Sequence, residues 1–232
     1  MHSTPAPEPD HLLLHNKLKE SFGPIYLTVL SVIQGVALAD LASVVQASYQ
    51  EFTFVHWLLT AIDFVMFIII WNAYTIQSAI WTWIPDLRDA IIPFLFGALE
   101  LFLNHAITLT LTAWLTALTL LSGMGMLANL HSIRRSKEES DNARLLSLFG
   151  RLPLRFEMFY LLGLIIMFLL FGAISQIGNL DPGSDLQTGR GISVLVIVLL
   201  VAAGLVTYML LNIWNWRQVV AYARTGRMPN NR

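Results

Sequence analysis

Residues 24–47, PIYLTVLSVIQGVALADLASVVQA, form an apolar stretch that carries a single acid, Asp40. A helix of this length would cross the hydrocarbon core of a bilayer, about 30 Å thick, at about 1.5 Å per residue. A charged side chain inside a bilayer costs at least about 2.5 kcal/mol and is kept where it faces protein, water or an ion. Asp40 is therefore a candidate functional residue.

Two further stretches repeat this pattern. Residues 54–83, FVHWLLTAIDFVMFIIIWNAYTIQSAIWTW, carry Asp63, and residues 90–107, AIIPFLFGALELFLNHAI, carry Glu100. Each acid again lies well inside an apolar segment, where solvation is poor. Three such residues in consecutive segments are the strongest functional signal in the chain.

Composition identifies the environment. Hydrophobic residues make up 56% of the 232 residues and charged residues only 12%, against about 25% charged in a typical soluble domain. The sequence predicts an all-α, polytopic integral membrane protein with six transmembrane helices. The predicted spans are residues 25–47, 54–76 with an extension to 83, 90–107, 108–130, 156–178 and 191–213. The alternative for the third and fourth, separated only by Asn104 and His105, is a re-entrant segment followed by a span.

The basic residues orient these spans. Thirteen of the fourteen Lys and Arg residues fall on one side if both termini are cytoplasmic, and only Arg190 falls on the other. Cytoplasmic segments are enriched in Lys and Arg, and an odd number of spans would destroy the asymmetry. We therefore expect the protein in the plasma (inner) membrane with its N- and C-termini in the cytoplasm.

The same reasoning divides the chain into five parts. They are a cytoplasmic tail with an amphipathic lead-in helix (1–22), transmembrane helices 1–4 (23–130), a basic cytoplasmic loop (131–155), transmembrane helices 5 and 6 (156–213) and a cytoplasmic tail (214–232). The lead-in helix is expected to lie on the membrane or against its neighbours. The tail after 213 is expected to continue as a helix, and a short helix is expected over residues 143–149. The fifth span, with Glu157 at its inner end, is expected to be a lipid-facing support.

The three acids are predicted at similar depth. Asp40 and Asp63 lie about nine and ten residues from one short outer turn, and Glu100 also falls in the outer half. If they face one another, one or more stays protonated or a cation compensates them. Alternatively, each acid bonds to its own neighbours, or one acid forms a ring in an oligomer. Gln34 is expected on a different face of its helix from Asp40.

Other polar residues are candidates for the lining of such a path. Thr112, Thr116 and Thr119 share one face of the fourth helix, where they would line the path or bond to carbonyls of their own helix. His56 and His105 lie near the outer interface and are candidates for a pH-sensitive pair. The remaining supporting polar candidates are Gln34 and Asn72. Asp86 and Asp89 are explained by capping of the third helix. Gly97 in the same helix would allow a neighbouring helix to approach closely.

The basic loop has a separate expected role. Arg134, Arg135, Lys137 and Arg144 are candidates for binding anionic lipid, a cytoplasmic protein or a ligand. The net charge of −1 provides no basic surplus that would favour nucleic acid as the main partner, although this loop keeps that partner open.

The absent motifs limit the function. The chain has no cysteine, no Walker loop, no dinucleotide motif and no zinc-ligand spacing. We expect no cofactor, no bound metal and no enzymatic activity. The function predicted is a homo-oligomeric channel or transport protein that passes a cation, protons included, along a path bordered by Asp40, Asp63 and Glu100. The alternatives are a non-conducting membrane sensor or scaffold and an intramembrane hydrolase.

Overall fold

The computed structural model describes residues 10–81, 83–84, 86–143 and 153–225. This part of the chain contains six long helices and one 3-10 turn, Ser140–Asn142, and no strand. The predicted all-α class is therefore confirmed. The helices are α1 (Asp10–Ser48), α2 (Phe54–Ile80), α3 (Leu87–Ala106), α4 (Leu111–Glu138), α5 (Pro153–Gly178) and α6 (Gly189–Thr225).

Five of these helices are long and apolar enough to cross a membrane, and α3 is the exception. α3 has 20 residues, which include Arg88, Asp89 and Glu100. At about 1.5 Å per residue it is about 30 Å long. Two of its polar residues, Asp89 and Glu100, lie on the side of α3 that is buried.

α1 and α4 extend beyond the limits predicted for their spans. α1 includes residues 10–22 and passes through Pro24 without interruption, so the predicted lead-in helix and first span form one helix. Proline removes one backbone N–H from a helix and so frees the carbonyl four residues earlier, here that of Glu20. The Thr28 hydroxyl donates to the Pro24 carbonyl at 2.8 Å. α4 continues to Glu138, so the first part of the predicted basic loop is helical.

The end of the chain agrees with the sequence expectation of a helical tail. α6 continues without a break through Trp214, Trp216 and Arg217 to Thr225. Apart from Ala143, the predicted short helix over 143–149, which includes Arg144, lies outside the described residues.

The helices pack around one hydrophobic core. α4 packs most extensively on α5, and α3 lies between α1 and α4, while α2 contacts α1 and α6. Large side chains such as Leu59, Leu103, Trp114 and Phe168 are completely buried in this core. The fifth helix packs on α4 along one face, and it is the least buried of the five candidate spans, which agrees with the expected lipid-facing support.

Side-chain contacts assign the connections between helices to the two ends of the bundle. At one end, Lys19 pairs with Glu139 at 2.6 Å, and Arg135 Nη2 donates to the Ile84 carbonyl at 2.5 Å. At the other end, the Thr53 hydroxyl donates to the Pro182 carbonyl at 2.9 Å. We call these the basic end and the Pro182 end. The turn between α1 and α2 and the loop between α5 and α6 thus share one end.

Candidate functional site

The first polar contact inside the bundle joins α1 to α3. Gln34 Nε2 donates to Glu100 Oε1 at 2.5 Å, and the two side chains are buried. The other oxygens of this pair, Glu100 Oε2 and Gln34 Oε1, are also buried and have no hydrogen-bond partner among the described residues. Buried polar atoms without partners are rare and usually indicate a missing proton, water, ion or ligand.

The sequence of α3 explains why this contact forms. Asp89, Pro93, Phe96, Glu100 and Asn104 follow one another at intervals of three or four residues and are all buried. Residues at such intervals share one helical face. Close approach to α1 depends on Gly97, since a Cβ added there would collide with the Ile33 side chain. The predicted close approach at Gly97 is confirmed.

Asp40 lies on the same α1–α3 interface, one turn of α3 nearer the Pro182 end. Asn104 Nδ2 donates to Asp40 Oδ2 and to the Ala37 carbonyl, both at 2.9 Å. His105 Nε2 lies 3.4 Å from Asp40 Oδ1, and its side chain is 63% exposed. Asp40 and Gln34 thus both contact α3, whereas the helical projection had put them on different faces. We call His105, Asp40, Asn104, Gln34 and Glu100 the α1–α3 string.

Asp63 belongs to a different contact. It is completely buried on α2, and Trp114 Nε1 on α4 donates to its Oδ1 at 2.9 Å. Its Oδ2 has no hydrogen-bond partner among the described residues. The three predicted acids therefore have three separate hydrogen-bonding partners. Two of them, Asp40 and Glu100, share an interface, and the third lies between α2 and α4.

A second polar network, which we did not predict, joins four helices near the basic end. The Tyr208 hydroxyl on α6 donates to Glu157 Oε1 on α5 at 2.8 Å, and Asn129 Nδ2 on α4 donates to the same oxygen at 3.4 Å. Gln77 Nε2 on α2 donates to Asn129 Oδ1, and Ser132 Oγ donates to Gln77 Oε1 at 2.8 Å. We call these five residues the Glu157 network.

A signal for this network was present in the sequence. Asn129 lies between Ala128 and Leu130, and Gln77 follows Ile76. Amides within membrane helices commonly bond to neighbouring helices. The sequence alone does not align Gln77 with Asn129 and Glu157, because they lie on three different helices.

A cavity of about 50 Å³ lies beside the Glu157 network. Its polar lining comes from Tyr74 and Gln77 on α2, Ser122 and Asn129 on α4 and Tyr208 on α6. The rest of its wall is apolar and includes Phe96 of α3, whose ring packs edge-on against Tyr74 at 5.5 Å between centroids.

The threonines of α4 form local bonds. The hydroxyls of Thr116 and Thr119 donate to the carbonyls of Thr112 and Leu115, each at 2.8 Å. The Thr112 hydroxyl donates to Ser175 Oγ on α5 at 3.0 Å. Two of the three hydroxyls thus bond to their own helix, the second of the alternatives considered above, and the third fixes α4 to α5.

The two outer histidines have different partners. His56 Nδ1 accepts from the Thr53 backbone N–H at 3.1 Å and lies 2.8 Å from the Thr53 hydroxyl, so it caps the start of α2. His105 belongs to the α1–α3 string. The expected His56–His105 pair is not formed. Asn72 is partly buried on α2 and belongs to neither polar network.

The basic residues of α4 also differ in role. Arg135 Nη1 pairs with Glu138 at 2.6 Å, and its other terminal nitrogen bonds to the Ile84 carbonyl. It therefore fixes the connection between α2 and α3 to the end of α4. Arg134 and Lys137 are exposed, and their charges face outward from the basic end.

Asp86 and Asp89 cap α3, as predicted. Asp86 Oδ1 accepts from the backbone N–H groups of Arg88 at 2.8 Å and Asp89 at 3.2 Å. Desolvation acts to raise the pKa of Asp86, but these hydrogen bonds and the charges of Arg135 and His131 lower it overall. Asp89 Oδ1 also meets His131 Nε2 at 2.9 Å.

The ligand atoms of Asp86, Asp89 and His131 lie within 4.8 Å of one another, a spacing that would suit a metal ion. Both carboxylates already accept backbone N–H groups in the cap, since Asp89 Oδ2 receives the Asp86 N–H at 2.8 Å. We therefore interpret this cluster as a helix cap that His131 contacts through Asp89.

Comparison with known proteins found no matching protein-family model, curated protein or solved structure. The function of this chain is therefore inferred from the residues described above.

Proposed function

We propose that this protein is a six-span membrane protein that moves a cation, most simply a proton, along the α1–α3 string. Both termini are cytoplasmic in this proposal, and the basic end faces the cytoplasm. Glu100 is the central proton-binding group, and Asp40 with His105 forms the connection to the outer surface. Asp63 is a second protonatable group on the α2–α4 contact.

The observation that supports this proposal best is the pair formed by Glu100 and Gln34. One amide N–H donates to one carboxyl oxygen, while the second oxygen of each group is buried and lacks a donor. A single proton on Glu100 Oε2, donated to Gln34 Oε1, would satisfy both. Each buried polar atom without a partner costs about 1–3 kcal/mol, so protonation of Glu100 is favoured.

The connection to the outer surface supports the direction of the path. His105 is exposed, and it reaches Asp40, which in turn meets Asn104 one turn from Glu100 on α3. Four residues of helix correspond to about 6 Å along the axis. A proton arriving at the surface thus has a short series of polar groups between it and the buried acid.

A proton fits this interface better than a metal cation. Ca²⁺ takes about six to eight oxygen ligands, and Mg²⁺ demands an octahedral shell. The buried oxygens without donors on the α1–α3 string are those of Gln34, Glu100 and Asn104, one from each. Three oxygens are too few for such a shell, whereas one proton needs only two.

The six-span arrangement is supported by α3 itself. Its length of about 30 Å matches the hydrocarbon core. Its acids and amide lie on its buried face, and exposed residues such as Ile91, Phe94 and Leu95 are apolar. Between Asp89 and His105, the exposed side chains of α3, which would meet lipid, are all apolar.

Oligomerisation is part of the proposal, but it does not build the path. The complete burial of Glu100 within one chain favours a separate path through each subunit over a ring of acids on a symmetry axis. The homo-oligomer would then stabilise the subunits through their exposed apolar faces.

The test is proton flux into liposomes that contain the purified protein and an internal pH-sensitive dye. We expect flux driven by a membrane potential, and we expect Glu100→Gln to lower it about tenfold or more, a barrier increase of about 1.4 kcal/mol or more. Glu51→Gln, the same change at an exposed residue of the Pro182 end, is the matched control and should conduct normally.

Two results would refute the proposal. One is wild-type flux no faster than that of empty liposomes. The other is unchanged flux in Glu100→Gln at equal amounts of folded protein. The first result would favour the second candidate function, a scaffold that holds a cytoplasmic partner. The exposed charges of Arg134 and Lys137 at the basic end are the observation that supports it.

A further inference from the structure

We propose that the cavity between α2, α4, α5 and α6 holds water that connects the acids of the outer half to Glu157, which is the inner proton-binding group. This inference rests on the proposed function and extends its path toward the basic end. It assigns a role to Glu157 and to a cavity that the α1–α3 string does not use.

The position of the cavity relative to the acids is the first step. Phe96 lines it and lies one turn from Glu100 on the buried face of α3. Met66 also lines it and follows Asp63 by three residues on α2. At a rise of about 1.5 Å per residue, Asp63 lies about 4 Å along the helix axis from Met66, and Glu100 lies about 6 Å from Phe96.

The opposite part of the wall belongs to the Glu157 network. Gln77, Asn129 and Tyr208 line the cavity, and two of them, Asn129 and Tyr208, donate to Glu157 Oε1. The cavity therefore has buried carboxyl groups beyond both of its ends.

The chemistry of the wall favours water inside. A buried water needs room and about two to four polar partners. The lining offers the Ser122 hydroxyl, two amide side chains and two phenols. The Tyr74 hydroxyl is buried without a hydrogen bond of good geometry among the described residues, and the Tyr74 ring packs edge-on against Tyr26 at 5.4 Å between centroids.

The proton transfer conserves atoms and charge. The protonated carboxyl of Glu100 gives its proton to an adjacent water, and the last water of the chain gives a different proton to the Glu157 carboxylate. Glu157 then releases its proton toward the cytoplasm, and Glu100 is reprotonated from Asp40 and His105. No water is consumed, and one positive charge crosses the membrane in each cycle.

Two substitutions test this role in the full-length protein in liposomes. Glu157→Gln keeps the shape and a carbonyl acceptor for Tyr208 but removes the proton-binding group. Gly125→Leu fills the cavity, since Gly125 lines it and a Cβ there meets no atom within 4 Å. We expect each to lower proton flux about tenfold or more.

Each variant has a matched control. Gly123→Leu introduces the same side chain on the same helix at a position that also has space for a Cβ but does not line the cavity. We expect it to conduct within about twofold of wild type. Ser175→Ala removes a polar group from α5 at the end opposite Glu157 and should likewise conduct normally. Thermal unfolding in detergent verifies that all four variants are folded.

The outcomes separate this inference from the proposed function. If Glu100→Gln blocks flux while Glu157→Gln and Gly125→Leu conduct normally, the inference is wrong and the proposed function stands. If Gly123→Leu blocks flux as strongly as Gly125→Leu, the effect does not come from the cavity and the inference is also wrong. If the wild type moves no protons, both fall. The inference is supported if Glu157→Gln and Gly125→Leu lose flux while Gly123→Leu and Ser175→Ala conduct normally.

Discussion

At the scale of single residues, the main result is that two of the three predicted acids are only half satisfied, whereas both oxygens of Asp40 have a polar neighbour. Asp63 and Glu100 each have one oxygen with a donor and one without. A purely structural acid would be expected to use both oxygens, because an unpaired buried acceptor is costly. Half-satisfied carboxyls are suited to binding and releasing a proton.

Trp114→Phe tests the residue scale through Asp63. The indole N–H is the donor to Asp63 Oδ1, so its removal leaves a buried carboxyl without any described partner. We expect the free energy of unfolding to fall by about 1–3 kcal/mol or more. Denaturant unfolding in detergent measures it, with Trp57→Phe at an exposed position as the control.

A second substitution separates hydrogen bonding from packing. In an Asp63→Leu background, Trp114→Phe should lower the free energy of unfolding by less, because the buried carboxyl that accepts the indole N–H is no longer present. An equal cost in both backgrounds would mean that the indole ring stabilises the protein by packing alone, and that its N–H does not support Asp63.

At the scale of elements, α3 determines the arrangement of the site. It contacts both α1 and α4, and its buried face carries the groups that bond to Gln34, Ala37 and Asp40. Gly97 permits this approach, since Ile33 of α1 lies against its Cα. The polar string thus depends on a steric match between two helices.

Gly97→Ala tests that match. The added methyl group collides with Ile33, and we expect the free energy of unfolding to fall by about 1–3 kcal/mol, as for other overpacked sites. Proton flux should fall with it, since the helices that carry Gln34 and Glu100 are forced apart. Gly35→Ala on α1 is the matched control, because nothing lies within 4 Å of a Cβ there.

A compensating substitution tests whether the collision with Ile33 causes the loss of stability in Gly97→Ala. Ile33→Ala removes the opposing methyl groups, so the double variant with Gly97→Ala should regain much of the lost stability. Strict additivity of the two effects would show that the α1–α3 contact does not limit the packing at Gly97.

At the scale of the whole molecule, the contacts at the two ends of the bundle bring distant parts of the chain together. Lys19 meets Glu139 at the basic end, and Thr53 meets Pro182 at the other. These contacts require that α1 begins at the end where α4 finishes. They agree with the distribution of Lys and Arg that predicted cytoplasmic termini.

Cysteine labelling in intact cells tests this topology, and the chain contains no cysteine that would add background. We expect a membrane-impermeant maleimide to label Thr108→Cys and Gln187→Cys but to leave Arg88→Cys and Lys137→Cys unlabelled until the cells are opened. All four positions are exposed. Equal labelling of Thr108→Cys and Arg88→Cys would mean that α3 does not cross the membrane.

The sequence by itself determined the helical membrane class, the short turn between α1 and α2, the capping of α3 and the close approach at Gly97. These features depend on hydrophobic length, on capping residues and on the size of one side chain, all of which are local. It also identified Asp40, Asp63 and Glu100, because the cost of an acid in hydrocarbon can be judged from its immediate neighbours.

Only the tertiary structure decided which groups these acids meet. The separation of Asp63 from the other two, the placement of both Gln34 and Asp40 against α3, and the Glu157 network all depend on how helices pack. A single-helix projection gives the direction of a side chain relative to its own axis. It does not give the rotation or the neighbours of that helix, which are set by side-chain packing between elements distant in the chain.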